Sequence, residues 1–516
     1  MFTILPKKDN DVQALLFVVA FILYLSFLAR SLNFFDAVTY ANALKISFQT
    51  GDTWLPFTAF GAYGPGSSQG FGRSAAYVLL SYPYSYVLTN FFKTDFDFAL
   101  NSFSAIVVAA SAVFVYRSAK LFFDNKFSFL LSLLYVITPF IFFLGINASN
   151  YSPLLLFSSI WIYYILLYFK TKIENYVTFS SIVLVANIFA HPIAIPLLLP
   201  HAYVFLTLLR AKSKMKIRQL TQNSIIFLPV AALLYYFTFV NPAYPVEPNL
   251  TISAFVTTLF GYQLVNGLSL VFFVAVVFNL ALLVKKFVFR KVDKFDIFFL
   301  LTLISLASSL FYFNDIPIVR FAPLFPLFYL LIFREMKNFK KFHFIIYLAI
   351  IFMLIKFLPI AYQFHNFPHP HKAYALWLDE LNPRPDVIVV GHECPFIEFY
   401  TSLNRICKSS QDLNVTLPTT GVYVTEEYFK NENEMEFEFM QKTFDLPFNA
   451  AVASRIYEKD LLQNKTFTKS AEYDMPVRNF EDMFQWLFTI YPNPILNIIV
   501  NTDFIKPKYA VYEVLG

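Results

Sequence analysis

Runs of apolar residues long enough to cross a bilayer, about 20 at a time, recur along this chain with short polar turns between them. Eleven are read, at about 13–33, 98–118, 127–146, 151–169, 176–191, 192–209, 222–240, 267–284, 296–313, 321–333 and 343–363, two of them short. The turns carry an orientation signal, because cytoplasmic loops are enriched in lysine and arginine. With the N-terminus inside, the clusters at Lys7–Lys8, Arg117–Lys126, Lys170–Lys172, Arg210–Arg218, Lys285–Lys294 and Arg334–Lys341 all fall on the cytoplasmic side. The opposite loops hold only Lys45, Arg73, Lys93 and Arg320, with Arg30 near a boundary. An odd number of spans then sends the C-terminus outside.

Composition agrees with the pattern. Of 516 residues 57% are hydrophobic and 14% charged, and the mean hydropathy is +0.55. A soluble domain carries about 25% charged residues, so the fold class expected is a polytopic α-helical membrane protein. No cleavable signal peptide is expected, since the first apolar stretch is too long for one and no small-residue cleavage site follows it. No internal repeat, P-loop, GxGxxG or zinc-ligand spacing occurs, and no nucleic-acid partner is expected.

From about 364 the composition changes. "HNFPHPHK" reads as a linker, "VIVV", "GVYVTEEYF" and "KYAVYEV" as strands, and "NEMEFEFMQKTF" and "NFEDMFQWLF" as helical stretches. The boundaries expected are a membrane domain over 1–363 and a small extracytoplasmic α/β domain over 364–516. Both cysteines, Cys394 and Cys407, fall in the latter. In an oxidising compartment they form a candidate disulfide, contributing about 3 kcal/mol by chain entropy, against the alternative of two separate thiols. Five Asn-x-Ser/Thr sites (Asn147, Asn150, Asn249, Asn414, Asn464) fall on the predicted outside.

Candidate chemistry gathers on that same side. The first external loop, about 34–96, is the longest between spans and holds six of the twelve glycines, five of them in "FGAYGPGSSQGFGR". Its first flank, "DAVTYANALKISF", puts Asp36 and Tyr40 on one helix face. Its second flank, "AAYVLLSYPYSYVLTNFF", is aromatic enough to lie in the interface. Asp95 and Asp97 in "KTDFDF" have the spacing of a metal-binding pair, though two acids beside a membrane also serve as boundary charges. His191 ends a helix at "AHPIAIPLLLP", and Arg320 lies in "FNDIPIVRFAPLFPL". Ionisable groups near a bilayer are costly when unpaired and so are candidates for function. Each also has a structural reading: Asp36 a helix cap, His191 a turn residue, Arg320 an interfacial anchor.

The order and sidedness of these features resemble the GT-C superfamily of membrane glycosyltransferases, in its protein O-mannosyltransferase-like branch, over about residues 13–335. An acid just after the first span, a long external loop with interfacial helices, "AHPIAIPLLLP", and a late "RFAPLFP" similar to the family's RY-x-x-P carry the resemblance. It implies an inverting transfer of a sugar from a polyprenyl-phosphate-linked donor to an acceptor hydroxyl on a protein or glycan. Asp36 would be the general base, and Arg320, with Arg73 as a weaker candidate, would meet the phosphate. His191 would touch phosphate or sugar, with Tyr40 beside Asp36, and no divalent metal is expected. Relatives often carry two adjacent acids in the first loop. Here Ala37 follows Asp36, so a second acid falls to Asp52 or Asp97. The location implied is the plasma membrane, or the endoplasmic reticulum of a eukaryote, with the site facing away from the cytoplasm. Three other functions remain open at this point: a glycan polymerase or ligase, a transporter, and a non-catalytic assembly subunit.

Overall fold

The computed structural model describes residues 8–32, 35–56, 75–210, 225–229, 270–312, 322–336, some positions between 351 and 368, and then 370–381, 387–389, 394–401, 421–426, 467–474 and 508–514. Most of the runs expected at 222–240 and 343–363 lie outside these residues. So do Arg73, Arg320, Cys407, Asn249, Asn414, Asn464 and the two helical stretches expected near the C-terminus. The chain divides into two compact units. One comprises 1–28, 68–248 and 263–362; the other comprises 29–67, 249–262 and 363–516. The first loop is therefore divided between them.

The first unit is built around one long helix. Its elements are α1 (Asp9–Ser26), and later α3 (Ala75–Asn90), α4 (Phe96–Ala119), α5 (Asn125–Ile137), α6 (Pro139–Ile146), α7 (Tyr151–Thr171), α8 (Asn175–Ala190), a 3-10 turn (Pro192–Leu197), α9 (Leu198–Arg210), α10 (Leu270–Val288), α11 (Lys294–Tyr312) and α12 (Phe325–Met336). Helix α2 belongs to the second unit. The 24 residues of α4 reach about 36 Å at 1.5 Å per residue, enough for a hydrocarbon core of about 30 Å. Helices α1, α3, α5, α6 and α7 all pack on it. Its contact faces are lined by small residues, among them Ser104, Ala105, Ala109, Ser111 and Ala112, all buried. Small side chains let helix backbones approach closely where lipid supplies no hydrophobic drive. Among the described residues, α1, α4 and α7 are long and apolar enough to cross a membrane, with a fourth span if α5 and α6 count as one.

That α5–α6 pair corrects an expectation. The run 127–146 reads as one helix, but it bends by 67° between Ile137 and Pro139. Proline has no N–H, and its ring clashes with the carbonyl four residues back. The freed carbonyls are met locally: Thr138 N–H donates to Tyr135 O at 3.2 Å and Thr138 Oγ1 to Leu134 O at 3.0 Å. Just past the bend, Gly145 lets α6 lie against the Tyr24 ring of α1, where a Cβ would fall 2.7 Å from ring carbons. The run 192–209 likewise differs, opening as a 3-10 turn because Pro192 and Pro196 interrupt its ladder.

A histidine fastens three helices inside this unit. Trp161 Nε1 of α7 donates to His201 Nδ1 of α9 at 3.2 Å, and Ser181 Oγ of α8 lies 2.9 Å from His201 Nε2. An indole N–H only donates, so Nδ1 is the acceptor and Nε2 carries the proton toward Ser181.

The second unit contains α2 (Phe35–Thr50), α13 (Pro370–Leu381), α14 (Cys394–Tyr400) and a four-stranded sheet of β1 (Val387–Val389), β2 (Gly421–Glu426), β3 (Phe467–Asp474) and β4 (Lys508–Val514). Strand order is β1-β2-β4-β3. β1 runs parallel to β2, and the other two pairings are antiparallel, with Tyr423 opposite Tyr512 and a register shift between Lys469 and Ala471.

Candidate functional site

Two acids open α4, and the helix gives them different work. Asp95 is its N-cap: the exposed carboxylate accepts from Phe98 N–H at 2.7 Å, satisfying one of the orphan donors of a helix start. Asp97, in the first turn, is buried, where the positive end of the helix dipole favours an anion. The spacing expected for a metal pair is thus split between an outward cap and an inward acid. Among the described residues no three His, Cys, Asp or Glu side chains come together as metal ligands.

One turn further along α4, polar side chains hold the turn between α6 and α7. Asn101 Oδ1 accepts from Ala148 N–H at 2.7 Å, and Ser104 Oγ accepts from Ser149 N–H at 3.3 Å. Ser149 Oγ in turn accepts from Tyr151 N–H at 3.1 Å, and Ser152 Oγ donates to Leu144 O at 3.2 Å. Residues 147–152 are all buried, so the turn's own amides need these partners. Two of the five glycosylation-type sites, Asn147 and Asn150, therefore lie inside the bundle. Asn147 Nδ2 is spent on Phe143 O at 3.0 Å.

Tyr151, the first residue of α7, connects this turn to His191. Their rings stack with centroids 4.9 Å apart and 27° between planes. His191 follows α8 in extended conformation and caps the 3-10 turn, its Nδ1 accepting from Ile193 N–H at 3.1 Å. That bond assigns the proton of the neutral ring to Nε2. One turn below, Asn187 Nδ2 donates to Ser158 Oγ at 3.0 Å, while its buried Oδ1 has no hydrogen-bond partner among the described residues. Above the start of α4, the Tyr77 ring of α3 meets Phe103 edge-on at 5.4 Å, and Tyr84 OH lies 3.0 Å from Ser102 Oγ. One end of the first unit thus carries a buried acid, amides, hydroxyls and an imidazole within an apolar bundle. Most of their polar atoms are bonded within the bundle, and the buried Asn187 Oδ1 is left as an acceptor.

Of the residues singled out from sequence, Asp97 and His191 belong to this end. Asp36 lies in the first turn of α2, in the second unit, with Tyr40 one turn on and fully buried. Arg73 and Arg320 lie outside the described residues. Asn101, Ser104, Asn150 and Tyr151 were not legible as site residues; the signal available was the polar cluster "NSFS" inside an apolar run.

The segment carrying Asp36 is braced on both sides by the C-terminal part of its own unit. Before it, Arg30 N–H donates to Phe364 O at 3.1 Å, Lys372 Nζ to Arg30 O at 3.0 Å, and Leu32 N–H to Tyr400 OH at 3.2 Å. After it, Asn42 Nδ2 donates to Glu398 Oε2 at 3.4 Å and Lys45 Nζ to Phe399 O at 3.3 Å. Glu398 reaches solvent, yet burial of part of its side chain raises its carboxyl above the usual range.

No family model matches the sequence, and no curated protein does. Solved structures do match. ArnT from Cupriavidus metallidurans bound to undecaprenyl phosphate is 11% identical, with 98% of each chain covered and a TM-score of 0.52. The Archaeoglobus fulgidus oligosaccharyltransferase in its apo form is 12% identical over 97% of this chain and 88% of that one, with a TM-score of 0.53. The same enzyme tethered by a disulfide to an acceptor peptide with the NVT sequon is 11% identical over the same shares, at 0.50. At such identities the likeness is one of fold: this chain shares the fold of both neighbours along almost its whole length.

Proposed function

We propose that this protein is an inverting glycosyltransferase that moves a sugar from a polyprenyl-phosphate-linked donor to an acceptor hydroxyl at the extracytoplasmic face of the plasma membrane, or the lumenal face in a eukaryote. The observation that carries the reading is the near full-length fold match to ArnT, which was solved with a polyprenyl phosphate. The buried polar cluster of Asp97, Asn101, Tyr151 and His191 supports it, as does the bracing of the Asp36 segment. The acceptor is a protein or a glycan; the peptide held by the oligosaccharyltransferase neighbour favours a protein.

In this mechanism Asp36 removes the acceptor's hydroxyl proton, and the oxygen attacks the anomeric carbon from the face opposite the phosphate. The glycosidic C–O bond breaks, and polyprenyl phosphate departs with the bonding pair. Arg320 and Arg73 meet its negative charge, and His191 donates from Nε2 to phosphate or sugar. A single displacement inverts the anomeric centre and needs no covalent intermediate. Residues 364–516 act as an extracytoplasmic domain that supports the first loop, with Cys394 and Cys407 paired there. The O-mannosyltransferase-like branch would make mannose the first donor to try.

The test is release of polyprenyl phosphate from a panel of labelled polyprenyl-phosphate sugars, with native membrane extract as acceptor. Asp36→Asn keeps the shape and lowers turnover by about 10²–10⁴-fold, the range of a general base. Equal release by the two proteins would remove Asp36 from the chemistry. The broken α5–α6 span favours a second reading, a transporter, since such proteins use discontinuous helices. Movement of intact donor across proteoliposomes without release of polyprenyl phosphate would establish that one instead.

A further inference from the structure

Among the described residues of the first unit, His191 and His201 are both buried, and they are held in different ways. His201 is gripped through its two ring nitrogens, by Trp161 Nε1 at 3.2 Å and Ser181 Oγ at 2.9 Å. Its hydrogen bonds end inside the bundle, because Ser181 Oγ donates onward to Val177 O at 2.9 Å. His201 is a structural lock. His191 is held at Nδ1, which accepts from Ile193 N–H at 3.1 Å, and across one face, where its ring centroid lies 4.9 Å from that of Tyr151 with 27° between planes.

The two restraints on His191 do separate things. Its backbone is extended, φ −161° and ψ 132°, so the side chain leaves from an elbow between α8 and the 3-10 turn. The bond from Ile193 fixes the position of Nδ1 and leaves the proton of the neutral ring on Nε2. A single hydrogen bond is a pivot, however, and sets no ring plane. An aromatic face does, and the Tyr151 separation lies within the range of about 4.5–7 Å that offset-stacked rings prefer.

Tyr151 can act as a fixed platform because its own backbone is tied to α4. Ser104 Oγ of that helix accepts from Ser149 N–H at 3.3 Å, and Ser149 Oγ accepts from Tyr151 N–H at 3.1 Å. Any bulky side chain would fill the space beside His191; a flat one also sets the direction of Nε2–H. Hydrogen bonds weaken steeply off their axis, so that direction governs how well the imidazole donates.

We propose that Tyr151 is a positioning residue for His191, its ring fixing the imidazole plane so that Nε2–H is presented to the polyprenyl-phosphate-linked donor; this rests on the transfer reading, in which His191 donates to that molecule.

The test is a double-mutant cycle on kcat/KM for release of polyprenyl phosphate, with the full chain in detergent and the labelled polyprenyl-phosphate sugar that wild type turns over. His191→Asn keeps a side-chain oxygen to cap the 3-10 turn but loses Nε2–H, and it lowers kcat/KM about tenfold, the loss of one hydrogen bond. Tyr151→Leu keeps bulk, loses the plane and lowers kcat/KM about fivefold, through misalignment of that same bond. Tyr151→Phe keeps the plane and stays within about twofold of wild type. The double variant of Tyr151→Leu and His191→Asn falls no further than His191→Asn alone, because a platform has no effect without the ring it orients.

Losses that multiply in the double variant make Tyr151 a packing residue and overturn the proposal, as does a wild-type rate for Tyr151→Leu. A loss in Tyr151→Phe equal to that in Tyr151→Leu assigns the effect to the hydroxyl and overturns it too. In each of these cases wild type is active, so the transfer reading survives. Wild type that releases polyprenyl phosphate from no donor removes the transfer reading, and the assignment of Tyr151 falls with it.

Discussion

The two ends of the helical bundle satisfy their polar groups differently. Around Asn101, the α6–α7 turn and His191, backbone amides are met by neutral side chains that are wholly buried. At the other end, Asp9, Lys120, Asp293 and Arg334 pair as ions whose side chains keep 20–49% of their exposure, while Asp296, the second partner of Arg334, is buried. A buried donor left without its acceptor costs its full desolvation, whereas an exposed ion pair loses little when broken because water replaces the partner. The buried end holds one geometry; the charged end tolerates change and is sensitive to salt.

The largest stability effect that sharpens this contrast is Asn101→Ala. It strands the buried Ala148 N–H and is expected to cost about 3 kcal/mol, the upper part of the range for such a loss, measured by chemical denaturation in detergent. Gly145→Ala, at the same end, drives a methyl group into the Tyr24 ring and costs about 2 kcal/mol by overpacking; a lowered melting temperature checks it. Lys120→Ala, at the charged end, costs about 0.5 kcal/mol, discounted for exposure. If it costs as much as Asn101→Ala, the contrast fails. The smallest effect is a pH dependence. Burial pushes the Asp293 carboxyl up, but hydrogen bonds from Arg334 and the Asp296 amide outweigh it and hold it below the ordinary 3.8. A depressed carboxylate stabilises above its unfolded value and loses that contribution as pH falls through its folded value. Wild type therefore loses a small increment of stability below about pH 4 that Asp293→Asn lacks, read from melting temperatures across an acid series.

The same contrast explains what the sequence disclosed. Spans such as 98–118 and 151–169 are long and apolar, and the helices Phe96–Ala119 and Tyr151–Thr171 match them closely. The strands at "VIV", "GVYVTE" and "KYAVYEV" were legible from their β-branched and aromatic residues. β3, "FTKSAEYD", was not, because Lys469 interrupts the alternation of Phe467, Ala471 and Tyr473 with polar residues and leaves only a weak apolar face. The α5–α6 bend escaped because hydropathy sums over Pro139 without registering its missing N–H. His191 was legible through the proline that follows it. Asn101 and Asn150 were not: an amide inside an apolar run and an Asn-Tyr-Ser triplet take their meaning from the backbone they meet, and that backbone is distant in sequence.

The bracing of α2 bears on the order in which the protein is made. Arg30 and Leu32 are held by Lys372 and Tyr400, partners 342 and 368 positions later in the chain. As a ribosome delivers the polypeptide, the helix bearing Asp36 is finished early and then waits while nearly all the membrane spans follow. Its last supports arrive only once Tyr400 has been synthesised and has reached it. The segment around this early helix is thus completed only by chain made more than 340 residues after it.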